Sequence, residues 1–210
     1  QIVFAKRDQL VSTADREIGG ATLHLAAAYA KHRQDSWYGG DAEYFGRQNQ
    51  AYFESSLKWL VGSAQVTAGF NYRFEDLHSR SKSLDPGSPN FNIQQVNSDK
   101  YTYRTPGAFV QVYETFFDER LEANASVRYD DNNVYGSLIT PRLNLLWHHS
   151  DMLSSRLAIG QGSRYPTSFF ELEHAILSAP GVDRSNAKAE RSDNVSYALN
   201  FANDRLAVTG

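Results

Sequence analysis

Residues 119–133, "ERLEANASVRYDDNN", alternate between apolar and polar with a period of two. Leu121, Ala123, Ala125, Val127 and Tyr129 fall on one side, and Glu122, Asn124, Ser126, Arg128 and Asp130 on the other. Successive side chains of a strand point to opposite faces, so the stretch predicts a strand with one apolar and one polar face. The pattern recurs along the chain. In 63–76 it sets Ala64, Val66, Ala68, Phe70, Tyr72 and Phe74 against Gln65, Thr67, Asn71, Arg73 and Glu75. It returns in 48–61, 141–149, 152–160 and 190–203, with Leu146 the one apolar residue in the polar phase of 141–149.

About ten strands follow from this reading, joined alternately by tight and long connections. Tight links are expected near Asp15 and Gly62–Ser63, at Asp118–Arg120, at Ser150–Asp151 and at Asn203–Asp204. Longer polar links are expected at roughly 35–43, 81–100, 131–137 and 163–188. This parity suits an antiparallel up-and-down transmembrane β-barrel, with short turns at the periplasmic rim and longer loops outside. A soluble β-sandwich would vary its links without it. Several patterns run about 12–18 residues, longer than the usual soluble strand of about 5–6. Trp59 and Trp147 each lie on the apolar face just before a tight link, as membrane-interface aromatics would.

Composition changes this picture little. The chain has 210 residues, a net charge of −3 and scattered Lys and Arg, so there is no basic signature of a nucleic-acid partner. It contains no Cys, which excludes a disulfide framework or a thiolate metal site. Mean hydropathy is negative, and no apolar run is long enough for a transmembrane helix. A barrel leaves no such run, because its lumen-facing residues are polar. The chain starts without Met or a signal peptide and stops inside a strand pattern at "RLAVTG". It is therefore expected to be a piece of a longer protein, its export signal lost or removed.

Three stretches then matter in their order: "GAFVQVYETFFDERLEANASVRYDDNN", "YGSLITPRLNLLWHHSDMLSSRLAIGQGSRYPTSFFELEH" and "NAKAERSDNVSYALNFANDRLAV". Together they resemble the barrel of a TonB-dependent outer-membrane receptor, most clearly over 107–210. The resemblance implies a 22-stranded barrel filled by an N-terminal plug, of which residues 1–210 would supply about ten strands. It further implies residence in the bacterial outer membrane, contact with its lipid, and import of a scarce nutrient. That nutrient would be a siderophore–iron complex, cobalamin or another chelated metal. The partners would be the receptor's own plug, absent from this chain, and TonB acting through that plug. The rival readings are a passive porin-like or adhesin-like barrel and a soluble β-sandwich binding domain.

No enzyme signature is present: there is no phosphate-binding Gly-rich loop, no G-x-S-x-G and no H-E-x-x-H. No cofactor is expected. "GQG" at 160–162 reads as a bulge or as close packing against another backbone. His148 and His149 are adjacent beside Asp151, but adjacent strand side chains face opposite ways, which disfavours a shared metal. The polar-face charges Arg73, Glu75, Glu122, Arg128, Arg142, Arg156 and Glu190 are expected to face the lumen. There they would pair with one another or hold the plug. The segment 163–181, "SRYPTSFFELEHAILSAPG", is expected to carry a short helix opened by Pro166. Arg164, Tyr165, Glu171 and His174 in it are the candidate ligand-binding residues, since long ordered loops are often functional.

Overall fold

The computed structural model describes residues 2–39, 42–84, 94–166, 187–202 and 206–209. Within them lie ten strands: β1 (Ile2–Ile18), β2 (Ala21–Gly39), β3 (Ala42–Val61), β4 (Ala64–Leu84), β5 (Gln94–Phe116), β6 (Leu121–Asn132), β7 (Gly136–Ser150), β8 (Leu153–Arg164), β9 (Glu190–Ala202) and β10 (Ala207–Thr209). They form one antiparallel sheet in chain order, each strand bonded to its sequence neighbours. The sheet is open, a partial barrel, with β1 and β10 at its edges. A single meandering sheet excludes the two-layered sandwich.

The turns expected at Gly62–Ser63 and near Ser150–Asp151 lie at one rim with the β1–β2 turn, but the β6–β7 link at the other rim, expected to be long over 131–137, is a turn of three residues, 133–135. Gly19 and Gly20 (φ 57° and 83°) make the β1–β2 turn, with the left-handed backbone that matches strand twist. The link expected near Asp15 is therefore four residues too early. Asp15 lies inside β1, where its carboxylate meets His24 Nδ1 across the ladder at 2.7 Å. Thr22 likewise donates to Glu17 at 2.7 Å, so the polar run before the glycines is held by cross-strand pairs. At the other rim the strands run further than alternation predicts. β3, β4 and β5 have 20, 21 and 23 residues, against 12 in β6 and in β8. Residues 35–39, 81–84 and 94–100, expected in loops, belong to strands. The expected helix within 163–181 falls mostly on residues outside the described ones.

The two faces differ in kind. Gln34, Ser36, Gln48, Ser56, Asn71, Thr105, Asp130 and Asn132 are all buried and all point to one face. No second layer of described residues covers them; neighbouring side chains of the same face pack on them, as Arg128 does on Asn71, Asn132 on Thr105 and Gln34 on Ser36. The opposite face shows Leu10, Leu25, Phe53, Phe70, Val110, Val127, Ile159 and Leu199 to the surroundings. This is an inside-out arrangement, with polar groups packed within and an apolar band outside. Leu146 does sit on the inner face, between Glu122 on β6 and Arg156 on β8. The ladders through Gly160 and Gly162 are regular, so no bulge forms there. A Cβ at Gly160 would meet Arg142 Cγ at 3.1 Å, so the close neighbour is a side chain.

An exposed apolar band and two open edges invite association. Residues 1–210 expressed alone should be insoluble in plain buffer and need detergent. Sedimentation velocity checks this, and a soluble, monodisperse monomer is the contrary result.

Candidate functional site

The inner face carries a charged cluster near the rim of the longer connections. Asp130 projects from β6, and its side chain is only 5 % exposed. Arg128, two residues earlier on the same face, contacts it at 2.8 Å and 3.1 Å through Nε. Arg73, on β4, reaches it at 2.9 Å although β5 lies between the two strands. Gly107 makes this crossing possible. It pairs with Asp130 in the ladder, and a Cβ there would stand 2.3 Å from Asp130 Oδ1. The missing side chain leaves a window through which the carboxylate passes over β5. Arg128 also donates to Asn71 Oδ1 at 2.7 Å, tying β6 to β4 a second time. A buried carboxylate held by two guanidiniums keeps its charge compensated, which is the condition for burying it at all.

Above the cluster runs a series of tyrosines. Tyr101 and Tyr103, in phase on β5, stack at 4.3 Å. Tyr103 meets Tyr135 edge-on at 5.4 Å, and Tyr135 stacks on Tyr165 at 5.7 Å. The Tyr103 hydroxyl donates to the Pro166 carbonyl (2.9 Å), so the Tyr135 hydroxyl is the donor to Tyr103 (2.9 Å). This chain fixes the start of the segment that follows β8. Glu75 accepts from Tyr101 at 2.5 Å and from Gln48 at 2.8 Å. Arg73, Glu75, Thr105, Arg128, Arg142 and Tyr165 are among the residues that line a recess of about 400 Å³.

Tyr165 has a buried hydroxyl with no hydrogen-bond partner among the described residues. Burial, with the Asp130 carboxylate nearby, pushes its phenol up from the ordinary value, so it stays protonated at neutral pH. The recess therefore holds an unused donor beside two arginines and stacked rings. That combination suits a planar or anionic oxygen-rich group.

The candidate residues separate as follows. Arg164 ends β8 opposite Glu190 in the ladder, and both Arg164 and Tyr165 line the recess. Glu171 and His174 lie outside the described residues. Arg128 and Arg142 belong to the recess, with Arg73 and Glu75. Glu122 and Arg156 form a separate group nearer the short-turn rim. There Glu122 accepts from Tyr113 at 3.0 Å and lies 2.8 Å from His148 Nε2. His149 turns to the other face, 2.9 Å from Ser155, so the two imidazoles diverge. Among the described residues no acidic or histidine group is arranged to hold a metal. Trp59 and Trp147 lie on the outer face near the short-turn rim, and Trp147 packs against Phe117 at 5.8 Å. Asp130, Asn71, Gly107 and the tyrosines are residues that alternation alone does not single out.

With that geometry in place, likeness to known proteins becomes informative. The family model described as "TonB dependent receptor-like, beta-barrel" matches residues 5–210. The chain belongs to this family. No curated protein sequence matches it. Among solved structures, the siderophore receptor PirA from Pseudomonas aeruginosa superposes with a TM-score of 0.73 at 15 % identity, covering 99 % of this chain and 38 % of that one. A mutant of the ferric enterobactin receptor PfeA from Pseudomonas aeruginosa gives 0.71 at 15 %, covering 97 % and 33 %. The copper transporter OprC gives 0.67 at 13 %, covering 98 % and 37 %. At such identity these likenesses bear on the fold. The receptor-barrel chain spans little more than a third of the proteins it resembles.

Gly107→Ala should displace the Asp130 carboxylate and leave two guanidiniums facing each other. We expect a loss of about 3 kcal/mol or more in barrel stability, the scale of a broken buried ion pair. Gly69→Ala is no control, because Phe109 and Ser56 already crowd that position. Ala108→Gly, on the outer face, is one. Urea unfolding of the full receptor in lipid measures both.

Proposed function

We propose that the parent protein is an outer-membrane receptor that imports a scarce metal chelate with energy delivered through TonB. The observation that carries this reading is the two-faced wall: an apolar band outside, and inside a recess of arginines and tyrosines near the rim with longer connections. The apolar band is suited to outer-membrane lipid, with Trp59 and Trp147 at its periplasmic interface. The inner polar face is suited to a plug domain, and Glu122, Arg128, Arg142, Arg156 and Glu190 would meet its polar surface.

The ligand would arrive from outside, where the recess opens. Arg164 and Tyr165 would contact it from the end of β8, with Glu171 and His174 contributing from the segment beyond. The names of the similar structures, two siderophore receptors and a copper transporter, support a chelated metal as cargo. The plug would do the gating, and the barrel wall would supply shape and charge. A passive pore is the alternative, and it differs in needing neither energy nor a saturable site.

Tyr165→Phe in the full-length receptor distinguishes these roles. The hydroxyl has no partner to lose within the wall, so barrel stability should hold or rise slightly. A hydrogen bond to ligand contributes about 0.5–1.5 kcal/mol, so the half-saturating ligand concentration should rise by up to about ten-fold. Uptake of a radiolabelled metal chelate, in cells with and without TonB, measures both the affinity and the energy requirement. Saturable, TonB-dependent uptake with weaker half-saturation in the variant is the expected result. Uptake proportional to concentration and indifferent to TonB would replace this reading with the passive pore.

A further inference from the structure

Arg73 and Arg128 both reach Asp130, but they hold it differently. Arg128 places Nε on both carboxylate oxygens, at 2.8 Å and 3.1 Å, and its Nη2 donates to Asn71 Oδ1 at 2.7 Å. Its guanidinium is thus fixed by two residues, and its side chain is 30 % exposed. Arg73 makes one ion-pair contact among the described residues, from Nη2 to Asp130 Oδ1 at 2.9 Å. Its side chain is 44 % exposed. It lines the recess together with Tyr165, whose buried hydroxyl has no partner among the described residues. Oδ1 of Asp130 therefore receives both guanidiniums. A buried carboxylate needs a close cation, and Arg128, on both oxygens, meets that need without Arg73.

This asymmetry makes Arg73 the exchangeable partner. Leaving Asp130 breaks one charge-assisted hydrogen bond, and an anionic oxygen standing in the recess restores one of the same kind. The tie between β4 and β6 survives the exchange through Arg128 and Asn71. A neutral oxygen brings no countercharge, so Arg73 stays with the carboxylate and the neutral group is turned away.

We propose that Asp130 is a specificity-determining residue: it stands in for an anion in the empty receptor, and a chelate is held only when its own negative oxygen draws Arg73 away. The inference rests on the receptor reading given above and narrows its substrate class to an anionic, oxygen-rich metal chelate. Asp130 does not touch the chelate. It acts through Arg73, by competing for it, and so sets the charge that a chelate must carry. Removing the charge of Asp130 therefore frees Arg73 and tightens the binding of an anion, whereas removing Arg73 weakens it. A carboxylate that served only to staple β4 to β6 would give no tightening.

The test uses full-length receptor in lipid nanodiscs and two chelates of radioiron. One is an iron(III) tris-catecholate, which is trianionic, and the other an iron(III) tris-hydroxamate, which is neutral. Both surround the metal with oxygen, so charge is the main difference between them. Retained radioiron measures binding. The native receptor should hold the tris-catecholate about ten-fold or more tightly, the scale of one charged hydrogen bond. Asp130→Asn should tighten the tris-catecholate further, by roughly five-fold or more, because nothing then contests Arg73. Arg73→Gln should weaken it by about ten-fold. In the double variant Arg73→Gln, Asp130→Asn the gain should vanish, since the two residues act through one contact. Equal affinity of the native receptor for the two chelates overturns the proposal. So does a tris-catecholate affinity that is unchanged or lower in Asp130→Asn, or a gain that persists without Arg73. Should Asp130→Asn fail to fold, Arg73→Gln still decides, because Arg128 keeps Asp130 compensated there: an undiminished affinity refutes the exchange. Binding of neither chelate overturns the substrate class and the proposal with it. Failure of the receptor reading shows separately, as uptake indifferent to TonB.

Discussion

Register is the constraint on which the rest of this molecule depends. Side chains alternate along a strand, so a slip of one residue would send an entire apolar face inward and an entire polar face outward. Here the penalty would be double, because each face is matched to a different environment. Asp130 would leave its arginines, and Val127 and Tyr129 would enter a polar lumen. The inner contacts therefore pin the ladders as well as occupying space. The Asp130–Arg73 pair spans three strands. The contact of Glu122 with His148 ties β6 to β7 near the opposite rim. Tight hairpins set each register locally, and these longer contacts keep it across the wall.

Two glycines show how closely the inner face is fitted. Gly107 lets a carboxylate cross a strand, and Gly69 lies under the ring of Phe109, whose nearest atom would be 2.7 Å from an added Cβ. Neither has the left-handed backbone that glycine alone adopts with ease, so both are there for want of space. An interior built this way is stiff beneath the recess. Tyr103, Tyr135 and Pro166 extend that stiffness to the start of the segment beyond β8. Tyr165, proposed above to meet the ligand, is thereby presented from a fixed base, which would lower the ordering cost of binding.

Much of this was legible in the sequence, and the reasons for the gaps are physical. Strands such as 121–132 and 64–76 announce themselves because one face meets an apolar medium and the other does not. The outer reaches of β4 and β5 do not, because beyond the apolar band both faces are polar and alternation carries no information. Residues 81–84 and 94–100 were for this reason expected in a loop, although β4 and β5 continue through them. The Gly19–Gly20 pair was a turn signal overshadowed by the polar run at Asp15. The Asp130 cluster joins residues 57 positions apart, as in the bond from Arg128 to Asn71, and no local pattern encodes that. Gly107 within a strand was its one visible trace.

The central claim is that a single wall separates lipid from a polar interior, residue by residue. Spin labelling along β6 tests it most directly. This chain has no cysteine, so each one introduced is a unique site within it. Labels at positions 123, 124, 125, 126 and 127 of the full receptor, in lipid, would report collision rates with dissolved oxygen, which concentrates in hydrocarbon. The account predicts high rates at Ala123, Ala125 and Val127 and low rates at Asn124 and Ser126. A flat profile, or one with the opposite phase, would contradict it.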